Sequence, residues 1–132
     1  HYLVKAAGMD ANFLLNIGPK PDGTIQDEFV TRLREIGGWL KVNGDSIHGT
    51  HGGPISPGPW GATTQSKGKI YVHVLDWPDA ALAIPRMPVP VRKASLLAGG
   101  RPVPVRDVEQ GHLLTIPGEG RDPIDTVIVL ES

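Results

Sequence analysis

The stretch Lys69–Trp77, "KIYVHVLDW", has the alternation of side chains that is typical of a β-strand. Successive side chains of a strand point to opposite faces of its sheet. The two faces would carry Ile70, Val72 and Val74 on one side, and Tyr71, His73 and Leu75 on the other. The stretch therefore predicts one well-defined strand, from which the rest of the chain can be interpreted.

Further short apolar segments follow this strand, separated by Gly, Pro or Asp turns. They are "AALAI" (80–84), "VRKASLLAG" (91–99), "PVPVRDV" (102–108), "HLLTI" (112–116) and "DTVIVLE" (125–131). Several short strands at about ten-residue spacing are typical of an antiparallel sandwich or barrel. Residues 68–132 are therefore predicted to form an antiparallel β-sandwich.

The N-terminal part has a different pattern. Phe13–Gly18 is a short apolar run of the kind found in buried parallel strands, and a Pro/Gly turn follows it. Asp27 to about Val42 predicts a helix whose apolar residues recur at spacings of four, three and four. This apolar stripe consists of Phe29, Leu33, Ile36 and Leu40. Residues 12–42 thus predict a strand-turn-helix unit, and the irregular passage from Ser46 to Gly68 predicts the boundary between the two parts.

Composition excludes several classes of function. The chain has 132 residues, 39% of them hydrophobic and 20% charged, with a net charge of −1 and no long run of one sign. This balance gives no basis for binding nucleic acid or an anionic membrane surface. Without cysteine there can be no disulfide and no thiolate chemistry. The N-terminus lacks both an initiating Met and a signal sequence, so we expect the chain to be part of a longer one.

Six segments together resemble a known family. They are "NFLLNIGPKPDGTI" (12–25), "LREIGGWLKVNGDSIHGT" (33–50), "GGPISPGPWG" (52–61), "KIYVHVLDW" (69–77), "ASLLAGG" (94–100) and "DTVIVLE" (125–131). Their content and order resemble the C-terminal region of the α-L-fucosidases of glycoside hydrolase family 29. The first two are the most specific, and the resemblance covers essentially the whole chain.

The resemblance implies a mainly β fold in which a β-sandwich follows the last strand-helix unit of a (β/α)8-like barrel. Residues 1–45 would end the catalytic barrel, 46–67 would form a Gly/Pro-rich linker, and 68–132 would form the sandwich. The full enzyme would be a retaining exo-α-L-fucosidase that acts on terminal fucose of glycans, either extracellular or in the periplasm. It would need no cofactor and no metal. The partner of this segment would be the N-terminal part of the barrel, and a free chain could self-associate through its unpaired strand.

Retaining glycosidases need two carboxyl groups about 5–5.5 Å apart at one pocket. The resemblance places the family's pair on earlier barrel strands, so no catalytic residue is expected here. The 14 acidic residues of the chain are interpreted as structural or solvated, including the pair Asp122 and Asp125. The chain by itself is therefore expected to be inactive.

Two residues are candidates for binding sugar. Asn16 is the polar residue of an apolar strand whose C-terminal end would face the barrel's active site. The alternative is that its amide holds the turn at Gly18-Pro19. Trp60 could stack on a sugar ring, or it could pin the linker to the barrel or sandwich.

Two further alternatives remain. His48 and His51 form an H-x-x-H pair, but a zinc site needs more ligands than these loop histidines offer. The chain could also be a non-catalytic carbohydrate-binding or interaction module that engages glycans through Trp60, Tyr71 or Trp77.

Overall fold

The computed structural model describes all residues 1–132 and contains two α-helices, two short 3-10 helices and eight strands. The helices are α1 (Tyr2–Gly8), α2 (Asp27–Asn43) and the 3-10 turns Gly44–Ser46 and Gly118–Gly120. The strands are β1 (His51–Gly52), β2 (Gly61–Ser66), β3 (Lys69–Val74), β4 (Ala81–Pro85), β5 (Lys93–Leu96), β6 (Val105–Val108), β7 (Gly111–Thr115) and β8 (Thr126–Glu131).

The strands form two antiparallel sheets. The larger sheet has the order β1-β2-β3-β8-β5, and the smaller has the order β4-β7-β6. β3 pairs along its whole length with β2 on one side and β8 on the other. The predicted antiparallel sandwich is confirmed, with β3 at the centre of its larger sheet.

The main core lies between the two sheets. Its twelve buried residues are Ile70, Val72, Val74, Leu82, Ile84, Met87, Ala94, Val103, Leu114, Ile116, Ile128 and Leu130. They include the three apolar side chains that the alternation of β3 predicted to share a face. Removal of this apolar surface from water is the main source of stability for the sandwich.

The opposite face of the larger sheet is also covered. Tyr71, Val127 and Val129 form a second buried cluster, against which Trp39 of α2 and Leu97 pack. β3 consequently has buried side chains on both faces from Ile70 to Val74. Helix α2 thus has the predicted extent to within one residue, and its Trp39 joins the N-terminal part of the chain to the sandwich.

The predicted strand at Phe13–Gly18 is not formed in this chain. Residues 11–20 have no regular secondary structure, and Phe13, Leu14 and Leu15 are exposed. A parallel strand needs neighbours on which to form its hydrogen bonds. No segment of these 132 residues pairs with it, so the apolar run remains unpaired.

The passage from Ser46 to Gly68 is more ordered than predicted. It contains β1 and the six-residue strand β2, both part of the larger sheet. Lys67 and Gly68 both have positive φ, 50° and 76°, and form a two-residue hairpin turn from β2 into β3. The sequence of β2, "GATTQS", has small and polar side chains, so its burial could not be read from hydrophobic alternation.

Candidate functional surface

A mostly apolar cleft lies on the side of the N-terminal part. It has a volume of about 720 Å³ and is lined by residues 1–4, Phe13, Leu15, the Arg32-to-Trp39 face of α2 and the loop residues Ile124 and Asp125. The polar side chains at its edge include Arg32 and Glu35, which form an ion pair. This mostly apolar lining suits apolar packing.

Exposed large apolar side chains concentrate in the N-terminal part of the chain, and Tyr2, Phe13 and Leu15 among them line the cleft. Ten are exposed in the chain, and eight of them lie in residues 1–45: Tyr2, Met9, Phe13, Leu14, Leu15, Ile25, Phe29 and Val42. Only Val89 and Ile124 belong to the rest. A concentrated apolar surface of this kind marks an interaction site.

The two sugar-binding candidates lie apart from the cleft lining. Asn16 is exposed in the unpaired segment, and its side chain makes no hydrogen bond. Trp60 is half-buried and packs against the main core, while its carbonyl accepts hydrogen bonds from the backbone N–H groups of Leu75 and Asp76. These contacts support the pinning interpretation of Trp60, whereas a role in substrate binding stays a prediction for both residues.

The other aromatic side chains considered for glycan binding are also engaged in packing. Tyr71 is only 6% exposed and belongs to the second buried cluster. Trp77 packs against the main core, and the Arg121 guanidinium lies 4.0 Å from the centre of its ring. Neither offers a free ring face for a sugar to stack on.

Several carboxylates have local structural roles. The Asp22 carboxylate accepts hydrogen bonds from the hydroxyl and the backbone N–H of Thr24, and these bonds lower the pKa of Asp22. Glu131 lies between Lys93 and Lys69 at the end of β8. Its hydrogen bond with Lys93, together with the charges of Lys69 and Lys93, lowers its pKa.

The acidic pair Asp122 and Asp125 is engaged in local contacts. Asp122 Oδ1 accepts hydrogen bonds from the backbone N–H groups of Ile124 and Asp125. Asp125 is buried, with Oδ2 2.7 Å from Nδ1 of His73. Both residues line a small cavity of about 180 Å³ beside Trp39. One carboxylate thus holds a turn, and the other faces a histidine.

The pairing of Asp125 with His73 was missed in the sequence. His73 is fully buried, and its Nε2 lies 3.3 Å from the hydroxyl oxygen of Thr64. The Thr64 hydroxyl in turn donates to the carbonyl of Ser46, 2.6 Å away. The available signal was a histidine at an inward position of a central strand, since such a side chain needs polar partners.

The two loop histidines are not gathered into a metal site. His51 Nδ1 lies 3.6 Å from Asp10 Oδ1, and the ring of His48 lies near Gly44. No group of three or more His, Cys, Asp or Glu side chains is placed to hold a metal ion. No helix of the chain is both long and apolar enough to cross a membrane.

Comparisons with known proteins identify the class. A family model described as alpha-L-fucosidase matches residues 1–45. Human plasma alpha-L-fucosidase is 33% identical over 120 residues, which cover 85% of this chain and 26% of the human protein.

Solved structures match nearly the whole chain. Alpha-L-fucosidase isoenzyme 1 from Paenibacillus thiaminolyticus has 32% identity and a TM-score of 0.87, covering 97% of this chain and 32% of that one. A GH29 alpha-L-fucosidase from Bacteroides thetaiotaomicron, described as a trapped covalent intermediate, has 26% identity and a TM-score of 0.85. The match covers 97% of this chain and 30% of that one.

All of these matches are to glycosidases, and the antiparallel β-sandwich of this chain agrees with the solved structures. The chain is similar over most of its length to a fragment of alpha-L-fucosidases. It spans about a quarter of the length of the curated relatives and about a third of the solved chains that it matches.

Proposed function

We propose that this chain is the C-terminal portion of a retaining exo-α-L-fucosidase and supports its catalytic barrel. The observation that carries the proposal is the exposed apolar surface of residues 1–45, the region that the family model matches. The partner of this surface would be the N-terminal part of the barrel. Residues 1–45 would complete the barrel, and the sandwich, with β2 included, would hold them in place.

The relatives support a substrate and a mechanism for the full enzyme. The full enzyme would hydrolyse terminal α-linked L-fucose of glycans, in an extracellular or periplasmic setting. The covalent intermediate trapped in the Bacteroides relative supports a two-step retaining reaction. The two reacting carboxylates would then lie in the partner segment, the N-terminal part of the barrel.

A chimaeric enzyme tests the proposal. Residues 1–132 would replace the matching region of the Paenibacillus enzyme, and hydrolysis of 4-nitrophenyl α-L-fucoside would be measured. We expect a soluble, active chimaera that releases α-L-fucose first, as seen by proton NMR of the initial product. We expect no turnover from the 132-residue chain alone.

Two results would overturn the proposal. Turnover by the purified chain alone would mean that the reacting carboxylates lie within it. A folded chimaera without activity would mean that the chain does not support a fucosidase barrel. A matched chimaera carrying Leu14→Asp should lose activity, whereas one carrying Val89→Asp in the sandwich should keep it.

A further inference from the structure

A chain of buried polar contacts lies where α2, the larger sheet and the loop before β8 meet. It runs from Asp125 through His73 and Thr64 to the carbonyl of Ser46. The side chains of His73 and Asp125 are 0% and 1% exposed, and Asp125 Oδ1 is buried without a hydrogen-bond partner. Each proton in these hydrogen bonds must therefore come from one of the four groups in contact.

The contact with Asp125 determines whether one ring nitrogen of His73, Nδ1, carries a proton. An ionised carboxylate only accepts hydrogen bonds, so Nδ1 of His73 donates to Asp125 Oδ2 across 2.7 Å. Asp122 also lines the small cavity here, but its Oδ1 is occupied by backbone N–H groups. His73 is therefore the side chain that bonds the Asp125 carboxylate.

The contacts at the Ser46 end of this series determine whether the other ring nitrogen of His73, Nε2, carries a proton. The carbonyl of Ser46 can only accept, so the short 2.6 Å contact uses the single hydroxyl proton of Thr64. The Thr64 oxygen is then an acceptor toward Nε2 of His73, 3.3 Å away. With Asp125 ionised, both nitrogens of His73 donate when all three contacts are hydrogen bonds, which is the imidazolium form. A protonated Asp125 would instead donate to a bare Nδ1 and leave His73 neutral.

We propose that His73 is held as an imidazolium in a buried ion pair with Asp125, and that this pair positions α2 on the sandwich. The ring of Trp39 lies 6.5 Å from that of His73 and is tilted by 39° to it, an ordinary geometry for two aromatic rings in contact. Trp39 is also the α2 residue that packs on the second cluster. Ser46, the last residue in this series of contacts, ends the 3-10 turn that follows α2. Its hydroxyl donates to the carbonyl of Asn43, the last residue of α2. The ion pair thus holds both the side and the end of the helix. This inference does not rest on the proposed function.

A second histidine provides an internal control. His112 Nδ1 lies 2.7 Å from Asp107 Oδ1, the same distance as in the His73 pair. Its Nε2, however, accepts a hydrogen bond from the backbone N–H of Met87, 3.3 Å away. A nitrogen that accepts this bond carries no proton, so His112 must be neutral where His73 is charged.

The test is NMR of the histidine ring nitrogens in the uniformly 15N-labelled chain at neutral pH. His73→Gln and His112→Gln assign the two sets of signals. We expect two protonated nitrogens in His73, and one protonated and one bare nitrogen in His112. A bare nitrogen in His73 would overturn the proposal.

The positioning role is tested by hydrogen exchange. Asp125→Asn keeps the shape of the side chain but removes its charge, which leaves the imidazolium without a counter-ion. We expect amide exchange in the last turns of α2 to become about tenfold faster or more. Asp107→Asn, at a carboxylate that is 73% exposed, should leave α2 unchanged. Unchanged α2 protection in Asp125→Asn would contradict the role, and the ring-nitrogen spectrum of the unaltered chain decides the charge even if that variant fails to fold.

Discussion

Tyr71 lies on the face of β3 that packs against Trp39. Burial raises its pKa above the ordinary value of 10.0, and the negative charges of Asp45 and Glu131 act in the same direction. Its hydroxyl makes no hydrogen bond in the structure, so the ring contributes mainly through apolar packing. Ionisation of the buried Tyr71 side chain therefore makes the stability of the second cluster depend on pH.

The sign of this linkage leads to a prediction. Because the folded-state pKa of Tyr71 is raised, its contribution to stability is complete below pH 10 and is lost as the pH rises through the raised pKa. Tyr71→Phe should fold normally and lose less of its free energy of unfolding between pH 8 and pH 11 than the unaltered chain does. Urea unfolding at the two pH values measures this difference.

Tyr2→Phe is the matched control, since Tyr2 is 82% exposed and outside both clusters. Its stability should depend on pH as that of the unaltered chain does. Equal alkaline losses in Tyr71→Phe and the unaltered chain would show that Tyr71 is not the group responsible.

Among the elements, the β2–β3 hairpin organises the larger sheet. Its six residue pairs run from Gly61 opposite Val74 to Ser66 opposite Lys69. Gly61 has φ of +151°, and a Cβ there would lie 1.8 Å from the carbonyl oxygen of His73. Only glycine allows the two strands to approach this closely.

Gly61→Ala is therefore expected to destabilise the fold strongly. The added methyl group would have to push β2 away from β3, which should cost about 2 kcal/mol or more of the free energy of unfolding. Gly68→Ala is the comparison, because a Cβ at Gly68 meets nothing within 4 Å although φ is +76°. That variant should lose only about 1 kcal/mol, from the left-handed conformation alone. Thermal or urea denaturation of both variants measures the difference, and equal losses would contradict the steric argument.

For the molecule as a whole, the uneven distribution of apolar surface is the main feature. The sandwich buries its apolar side chains between two sheets, whereas the first 45 residues leave eight large ones exposed. We propose that, without the rest of a barrel, this surface leads to self-association of the chain.

Leu14→Asp tests this proposal. Leu14 is 89% exposed, so the change should leave the free energy of unfolding within about 0.5 kcal/mol. It should nevertheless reduce the dimer or aggregate fraction in sedimentation velocity over a range of concentrations. Val89→Asp, at a 42% exposed position in the sandwich, should not change that fraction. A monomeric unaltered chain at all concentrations would contradict self-association.

Local patterns predicted those elements whose side chains alternate or recur strongly. The strand at Lys69–Val74, the later strands and the helix at Asp27–Asn43 were predicted because their apolar positions follow a period of two or of about 3.6. The ordered motifs also indicated the family. Asn16 and Trp60 were chosen by residue type, which cannot show whether a side chain is free or packed.

Long-range contacts decided the remainder. β2 becomes a strand because β3 pairs with it, although its own side chains are small and polar. Phe13–Gly18 stays unpaired because strand formation depends on a neighbour and not on apolar content. His73 and Asp125 are 52 residues apart and meet only when β3 and β8 are adjacent. A sequence pattern records what each segment can do by itself, whereas pairing and burial depend on which segments the fold brings together.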